Sequence, residues 1–155
     1  MAIDKGGTGA NTAVAALNNL GVSYGTWTPV ATDISGSNTI TATSYNAQRG
    51  TYTKIGNTVI ISFYVYATFP SNCTSYELKI NGCPFAPAFT AYGGGSCSGY
   101  YVNANTIFAG WQLHTNCGIY GRGQTVSSAA NVHYQQNLYC GTQVIAAGTI
   151  MFEVE

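Results

Sequence analysis

Full charges are scarce in this chain. Of its 155 residues, five are Lys or Arg and five are Asp or Glu, so the formal net charge is zero. A nucleic-acid-binding surface needs a basic face to neutralise phosphates, and an anionic membrane surface makes the same demand. No apolar run reaches the roughly 18–20 residues that a membrane-spanning helix needs. We therefore expect no nucleic-acid partner and no membrane insertion.

Groups that carry catalysis or bind metals are equally few. Hydrolysis of a glycan needs two carboxylates on facing walls of a cleft. Asp33 and Glu77 are the only carboxylates away from the two ends of the sequence, and nothing in the sequence marks them as a pair. The only histidines, His114 and His133, form no His-X-His repeat. The sequence therefore predicts no enzyme, no cofactor and no metal centre.

The five cysteines do not form a recognisable framework. Their number is odd, so they cannot all pair within one chain, and none of them belongs to a Cys-X-X-Cys motif. We expect them to be free thiols that pack as small apolar groups. One or two disulfides, or a metal cluster with the two histidines, remain as alternatives. The residues concerned are Cys73, Cys83, Cys97, Cys117 and Cys140.

The polarity of the chain comes instead from neutral groups. Ser, Thr and Asn together number 43, against ten charged residues, and there are 12 tyrosines. A surface with so few charges tends to self-associate unless part of it is buried in an oligomer. A neutral, hydroxyl-rich surface also suits neutral partners such as glycans. The composition is compatible with both interpretations.

The first twenty-five residues predict a glycine-rich turn followed by one short, alanine-rich helix. The helix ends at Gly21 and is capped by Thr8 or Asn11. Gly-Gly-Thr-Gly before a helix can cradle a phosphate, but here no strand precedes it and no Gly-Lys-Ser/Thr follows. A helix of about two to three turns is marginal in water on its own. It must therefore dock on the rest of the chain or on other copies.

After the helix, the pattern is almost entirely that of β-strands. Residues 58–69 alternate at period two and predict an apolar face at the odd positions. They should pair with residues 51–54 across a turn at residues 55–57. In the last strand, residues 148–155, Ile150, Phe152 and Val154 should point to the same side.

Further short strands are predicted between glycine- and proline-rich turns, and this pattern favours an antiparallel β-sandwich. The domain boundary is expected within residues 22–25, which separates a helical segment, residues 1–24, from a β-domain, residues 25–155. The remaining predicted strands are residues 26–31, 39–45, 76–80, 98–109, 111–115, 125–134 and 142–146.

Several short motifs, in this order, resemble the distal part of bacteriophage tail-fibre proteins. In that family, Gly-Gly-Thr-Gly-Ala and Asn-Leu-Gly form a collar, and Gly-Thr-Trp-Thr-Pro opens the β-rich tip. The segment Ile-Asn-Gly-Cys-Pro-Phe is similar to the family's Ile-X-Gly-Leu-Pro-Phe, with Cys83 in place of the usual aliphatic residue. The matching segments are residues 6–10, 19–21, 25–29, 50–57, 80–85 and 148–152.

The resemblance implies a fold, an assembly and a function. It implies jelly-roll-like β-sandwiches assembled as a homotrimer, with residues 1–24 as the collar and residues 25–155 as the receptor-binding tip. Such a protein is made in the host cytoplasm, belongs to the virion, and binds a host surface glycan or outer-membrane protein. The alternatives are a structural, trimerising or capsid-decorating fibre module, and a fragment of a glycan-processing enzyme.

Aromatic and polar residues between positions 92 and 139 are the candidates for receptor contact. Tyr and Trp offer an apolar face and a polar edge, which suits sugar rings and protein contacts. Glycine-rich loops at residues 93–99 and 118–123 would present them. The packing of about half of them in the core or between subunits is the alternative. The predicted site residues are Tyr92, Tyr100, Tyr101, Trp111, His114, Tyr120, Arg122, His133 and Tyr134.

Overall fold

A computed structural model of the chain describes residues 7–35, 38–70, 77–88, 93–95, 97–100, 106–113, 118–126, 133–137 and 143–155. This part of the chain is mainly β, with one short helix. The elements in chain order are α1 (Ala13–Asn19), β1 (Val22–Trp27), β2 (Val30–Ser35), β3 (Asn38–Thr41), β4 (Ser44–Ile55), β5 (Thr58–Thr68), β6 (Glu77–Asn81), β7 (Gly93–Gly95), β8 (Cys97–Tyr100), β9 (Thr106–Leu113), β10 (Ile119–Val126), β11 (His133–Asn137) and β12 (Gln143–Glu153).

The strands form two antiparallel sheets that share one apolar core. Sheet A has the strand order β1-β4-β5-β12-β8. Sheet B has the order β3-β2-β6-β10-β9-β7, with β11 paired to β10. Buried side chains from both sheets belong to the same hydrophobic cluster. The predicted two-sheet antiparallel architecture is therefore confirmed.

The centre of sheet A follows the sequence pattern closely. The odd positions of β5 are buried, from Val59 at 0% exposed onward, and so is Phe69 directly after the strand at 2%. The side chains of Ile150 and Phe152 in β12 are also buried, as is that of Val154 directly after the strand. β4 and β5 pair from Ile55 opposite Thr58, so residues 56–57 form a two-residue turn. Period-two alternation predicted both faces because each strand covers the core on one side only.

Several strand boundaries differ from the prediction. Residues 26–31 are divided between β1 and β2, because Pro29 has no N–H with which to continue a ladder. The predicted strands at residues 142–146 and 148–155 join into the single strand β12, which passes through Gly148 without a break. Residues 111–113 belong to β9, and residues 114–117 lie outside the described part.

A row of aromatic rings and glycines crosses the core side of sheet A. Gly50 and Gly148 are the register partners of Phe63 on its two sides. The rings of Trp27 and Trp111 both contact Phe63 edge-on, at centroid distances of 6.3 and 5.1 Å. A Cβ at Gly50 or Gly148 would come within 2.6 or 2.5 Å of an indole. The glycines make room for the indole rings against the backbone.

Tyr45 links the two sheets with its hydroxyl group. It lies in β4 of sheet A, and its Oη accepts a 3.1 Å hydrogen bond from the backbone N–H of Ala31 in β2 of sheet B. The same hydroxyl reaches the carbonyl oxygen of Ala31 at 3.5 Å. Burial raises the pKa of Tyr45 above its ordinary value of 10.0, and the backbone hydrogen bond opposes this shift.

Helix α1 has seven residues and no buried side chain. Its N-cap is Thr12, whose Oγ1 accepts a 3.2 Å hydrogen bond from the N–H of Ala15, so the predicted caps Thr8 and Asn11 were wrong. Thr8 instead offers its carbonyl oxygen to the Asn19 side chain at 2.6 Å. The helix ends before Gly21 as predicted, and the φ of +75° at Gly21 explains why glycine stands there.

The predicted boundary between residues 24 and 25 falls inside β1. All six residues of this strand, from Val22 opposite Ile55 to Trp27 opposite Gly50, pair with β4. The carbonyl oxygen of Gly21 also accepts a 2.9 Å hydrogen bond from the N–H of Gly56. The end of the helical segment is therefore hydrogen-bonded into sheet A rather than separated from it by a linker.

Candidate functional site

The structure divides the sequence-predicted site residues into three groups. Tyr92, Tyr101 and His114 lie outside the described residues. Trp111 and Tyr120 are described with their side chains. For the other four residues the structure gives the backbone position in strands β8, β10 and β11. They are Tyr100, Arg122, His133 and Tyr134.

Three of the backbone-placed residues lie on one ladder. His133 pairs with Val126 and Tyr134 pairs with Thr125, both in β10. Arg122 lies farther along the same ladder, opposite Asn137. Tyr100 is in the other sheet, where β8 pairs with β12. The topology therefore brings Arg122, His133 and Tyr134 to one strand pair of sheet B and places Tyr100 elsewhere.

Trp111 is part of the core, which corrects the expectation that it contacts a receptor. Its side chain is 3% exposed and packs edge-on against Phe63. Its indole N–H donates a 2.8 Å hydrogen bond to the carbonyl oxygen of Ala147 in the opposite sheet. An indole with both its ring and its polar edge engaged inside the sandwich offers nothing to an external ligand.

Tyr120 is also removed from the receptor candidates by its burial. Its side chain is 8% exposed, and the ammonium group of Lys79 lies 5.4 Å from the centroid of its ring. Lys79 is its register partner in β6, so this cation–π contact follows from strand pairing. The sequence could not show that this tyrosine is buried, because its burial depends on the pairing of β10 with β6 and on the packing of sheet B.

Exposed apolar side chains gather at one end of sheet A. This end is formed by helix α1, the start of β1, the β4–β5 turn and the end of β12. We call the following six residues the apolar end: Val14 (51% exposed), Leu17 (38%), Leu20 (65%), Tyr24 (59%), Ile55 (55%) and Met151 (63%). Tyr24, Ile55 and Met151 are all on strands of sheet A, and large apolar groups that remain exposed together mark an interaction surface.

A shallow depression lies on the outer face of sheet A. Its volume is about 220 Å³, and it is lined by Arg49, Gly50, Thr51, Ser62, Phe63 and Tyr64. Arg49 and Tyr64 are register partners across β4 and β5 and both are exposed. Sequence reasoning missed this site. The available signal was the amphipathic even face of residues 58–68, which carries Tyr64 beside hydroxyl groups.

A second groove of about 430 Å³ lies beside the end of β12. It is lined by Lys54, the segment from Pro84 to Pro87, Val154 and Glu155. Phe85 packs edge-on against Tyr52 at 4.9 Å, and the Lys54 ammonium donates to the carbonyl oxygen of Gly56. The cation of this groove is therefore already engaged by the chain itself.

The described residues offer no assembled metal site. They contain no group of three His, Cys, Asp or Glu side chains able to hold a metal ion. In the β2–β6 ladder, Asp33 pairs with Leu78 and Glu77 pairs with Ile34, so these carboxylate residues occupy adjacent rungs rather than one. The thiol of Cys83 is half-buried and donates a 3.4 Å hydrogen bond to the carbonyl oxygen of Phe85, and the side chains of the other cysteines lie outside the described part of the chain.

Residues 21–25 match the letters of the Gly-X-Ser-X-Gly nucleophile motif. That motif works when the serine lies on a sharp turn between a strand and a helix. Ser23 lies inside β1, where it pairs with Lys54. Ser23 therefore lies inside a strand and not on the strand-to-helix turn that the nucleophile motif requires.

A scan against protein-family models and a search of curated proteins matched nothing. No helix in the described part of the chain is long and apolar enough to cross a membrane. In the part of the chain that the structure describes, three features are candidates for function: the apolar end, the depression at Arg49 and Tyr64, and the β10–β11 ladder.

Proposed function

We propose that this chain is the distal, receptor-binding domain of a bacteriophage tail fibre. In this proposal it is a homotrimer of jelly-roll-like sandwiches, and it binds a glycan or an outer-membrane protein on the host surface during adsorption. The order of short motifs from residue 6 to residue 152 suggests the family. The observation that supports self-association is the apolar end, six large exposed side chains on a chain of zero net charge.

The apolar end is the surface at which copies would meet. Helix α1 exposes Val14 and Leu17, its C-cap Leu20 is exposed too, and no side chain of the helix is buried within the single chain. A helix of seven residues gains little from its own hydrogen bonds, so packing must stabilise it. Contact with other copies would bury these side chains and support the helix at the same time.

Light scattering tests the assembly. The wild-type chain should have three times the 16.3 kDa mass of one chain at micromolar concentration. The double substitution Leu17→Gln/Leu20→Gln should shift the mass toward one chain, because it makes two exposed apolar groups polar while keeping helix-forming side chains. Asn18→Gln, a polar exchange at an exposed position of the same helix, is the control. A wild-type monomer would contradict the trimer.

Whole-cell binding tests the receptor function. The folded domain should bind some strains in a panel of bacteria and should block adsorption of a phage that carries it. Three linked sites should bind far more tightly than one, because the second and third contacts form at high effective concentration. If the domain binds no strain and blocks no phage, the proposed function is wrong and a structural fibre module becomes the better interpretation.

A further inference from the structure

The outer face of sheet A carries a row of four hydroxyl side chains beside the depression at Arg49 and Tyr64. Thr26 pairs with Thr51, Thr51 with Ser62, and Ser62 with Thr149, so the row crosses four neighbouring strands. The Ser62 and Thr149 hydroxyl oxygens are 2.9 Å apart. Paired residues of an antiparallel ladder share one face. We call these four residues the hydroxyl row.

The next rung on the same face places a cation opposite an aromatic ring. Arg49 pairs with Tyr64, and Tyr64 is 41% exposed. Same-face rungs are about 7 Å apart, since each residue advances a strand by about 3.4 Å. The Arg49 guanidinium and the Tyr64 ring therefore lie beside the hydroxyl row. Together these groups form a surface about as wide as a few sugar rings, with the 220 Å³ depression between them.

Arg49 supplies the only full charge of the depression. Its side chain is exposed and forms no ion pair or hydrogen bond with another residue in the described part of the chain. A guanidinium offers a planar fork of N–H donors that matches a carboxylate in two parallel hydrogen bonds. A ligand that combines hydroxyl groups, a ring and one carboxylate would use every group on this surface.

The depression is also separate from the apolar end. The rung of Tyr24, Thr53, Ile60 and Met151 lies on one side of the hydroxyl row. Arg49 and Tyr64 lie on its other side. Arg49 and Tyr64 are therefore the part of the depression farthest from the apolar end.

We propose that this face of sheet A binds an acidic saccharide. The sugar carboxylate pairs with Arg49, its ring packs against Tyr64, and neighbouring hydroxyl groups exchange hydrogen bonds with the hydroxyl row. The proposal rests on the receptor-binding function and narrows its ligand to a glycan that contains a hexuronic acid. It concerns residues outside the aromatic region, residues 92–139, that the sequence favoured.

Calorimetry with defined sugars tests the site in the wild-type protein. A trisaccharide that contains a hexuronic acid should bind, and a neutral hexose trisaccharide of the same length should bind at least tenfold more weakly. Arg49→Gln should weaken binding of the acidic sugar by about tenfold or more, as expected for loss of hydrogen bonds to a charged group. Arg49→Lys should weaken it less, because the charge remains while the planar fork is lost. Tyr64→Ala should weaken binding of both the acidic and the neutral sugar.

Lys79→Gln is the matched control, because it changes the net charge equally but lies on sheet B. It should leave sugar binding unchanged. The proposal is overturned if the acidic and the neutral trisaccharide bind with equal affinity. It is also overturned if Arg49→Gln and Lys79→Gln weaken binding of the acidic sugar to the same extent. Displacement of the sugar by an equal concentration of inorganic phosphate would also overturn it, since the surface would then be a simple anion site.

The outcomes separate this site from the proposed function. If the domain binds bacteria and Arg49→Gln binds them equally well, the saccharide site is wrong while the receptor function stands. If the acidic sugar binds at Arg49 and no bacterium is bound, the site stands and the receptor function is wrong.

Discussion

The indole N–H of Trp111 donates a 2.8 Å hydrogen bond to the carbonyl oxygen of Ala147, and this bond connects β9 of one sheet to β12 of the other. The contact is possible because the next residue, Gly148, has no side chain. A Cβ at Gly148 would lie 2.5 Å from the Cδ1 and Nε1 atoms of Trp111. The glycine therefore determines how closely the indole approaches the backbone of β12.

Gly148→Ala should destabilise the domain by about 1–3 kcal/mol, the usual cost of overpacking a dense core. Ala147→Ser adds one heavy atom at the neighbouring position and should change stability by much less. Urea denaturation followed by tryptophan fluorescence measures both variants. The double variant Gly148→Ala/Trp111→Phe should lose less stability than the two single variants lose together, because the smaller ring makes room for the methyl group. Strict additivity would argue against the contact.

Thr12→Ala should loosen helix α1. The variant removes the Oγ1 acceptor of the Ala15 N–H, and such caps contribute about 1 kcal/mol. Hydrogen exchange at the Ala15 amide should accelerate by roughly fivefold, which corresponds to that free energy. Thr12→Ser keeps the acceptor and should exchange like wild type. Unchanged protection in Thr12→Ala would show that packing alone holds the helix start.

Tyr45 should make the stability of the fold sensitive to alkaline pH. Burial raises its pKa in the folded chain above 10.0, so the unfolded chain loses this proton first. The contribution is fully present below about pH 10 and is lost as the pH rises through the folded-state pKa. Tyr45→Phe should be less stable near pH 7, having lost the hydrogen bond to Ala31, and should show a shallower decline above pH 10. An equal slope in both proteins would contradict this assignment.

A trimer predicts a melting temperature that depends on protein concentration. Dissociation into unfolded single chains is favoured by dilution, so the melting temperature should rise between micromolar and hundred-micromolar protein. Leu17→Gln/Leu20→Gln should melt at a temperature that does not depend on concentration. Differential scanning calorimetry at three concentrations measures the effect. A concentration-independent melting temperature in the wild type would contradict assembly at the apolar end.

The fold was predictable where one physical pattern dominates. The alternation through residues 58–69 identified the buried positions from Val59 to Phe69, because this segment covers the core with one face. The end of helix α1 at Gly21 was predictable for the same kind of reason, since a left-handed C-terminal residue favours glycine. The cap was predicted wrongly, because Thr8, Asn11 and Thr12 are all acceptable capping residues and only the chain path selects one.

The candidate site was less predictable, because exposure is a tertiary property. Trp111 and Tyr120 have the composition of contact residues, but the sandwich buries both of them. Arg49 and Tyr64 are fifteen positions apart, and only the register of β4 with β5 brings them together. A bulge between Tyr45 and Ala47 belongs to that same ladder, and no local pattern predicted it.

Strand β12 lies inside sheet A, with β5 on one side along eleven paired positions and β8 on the other. During translation, β5 is synthesised about eighty residues before its neighbour β12. Sheet A cannot close, and the core cannot exclude water, while residues 143–153 are still inside the ribosome. Folding is therefore postponed until β12 has been made, and a nascent chain interrupted before β12 exposes the apolar face of β5 to chaperones and proteases.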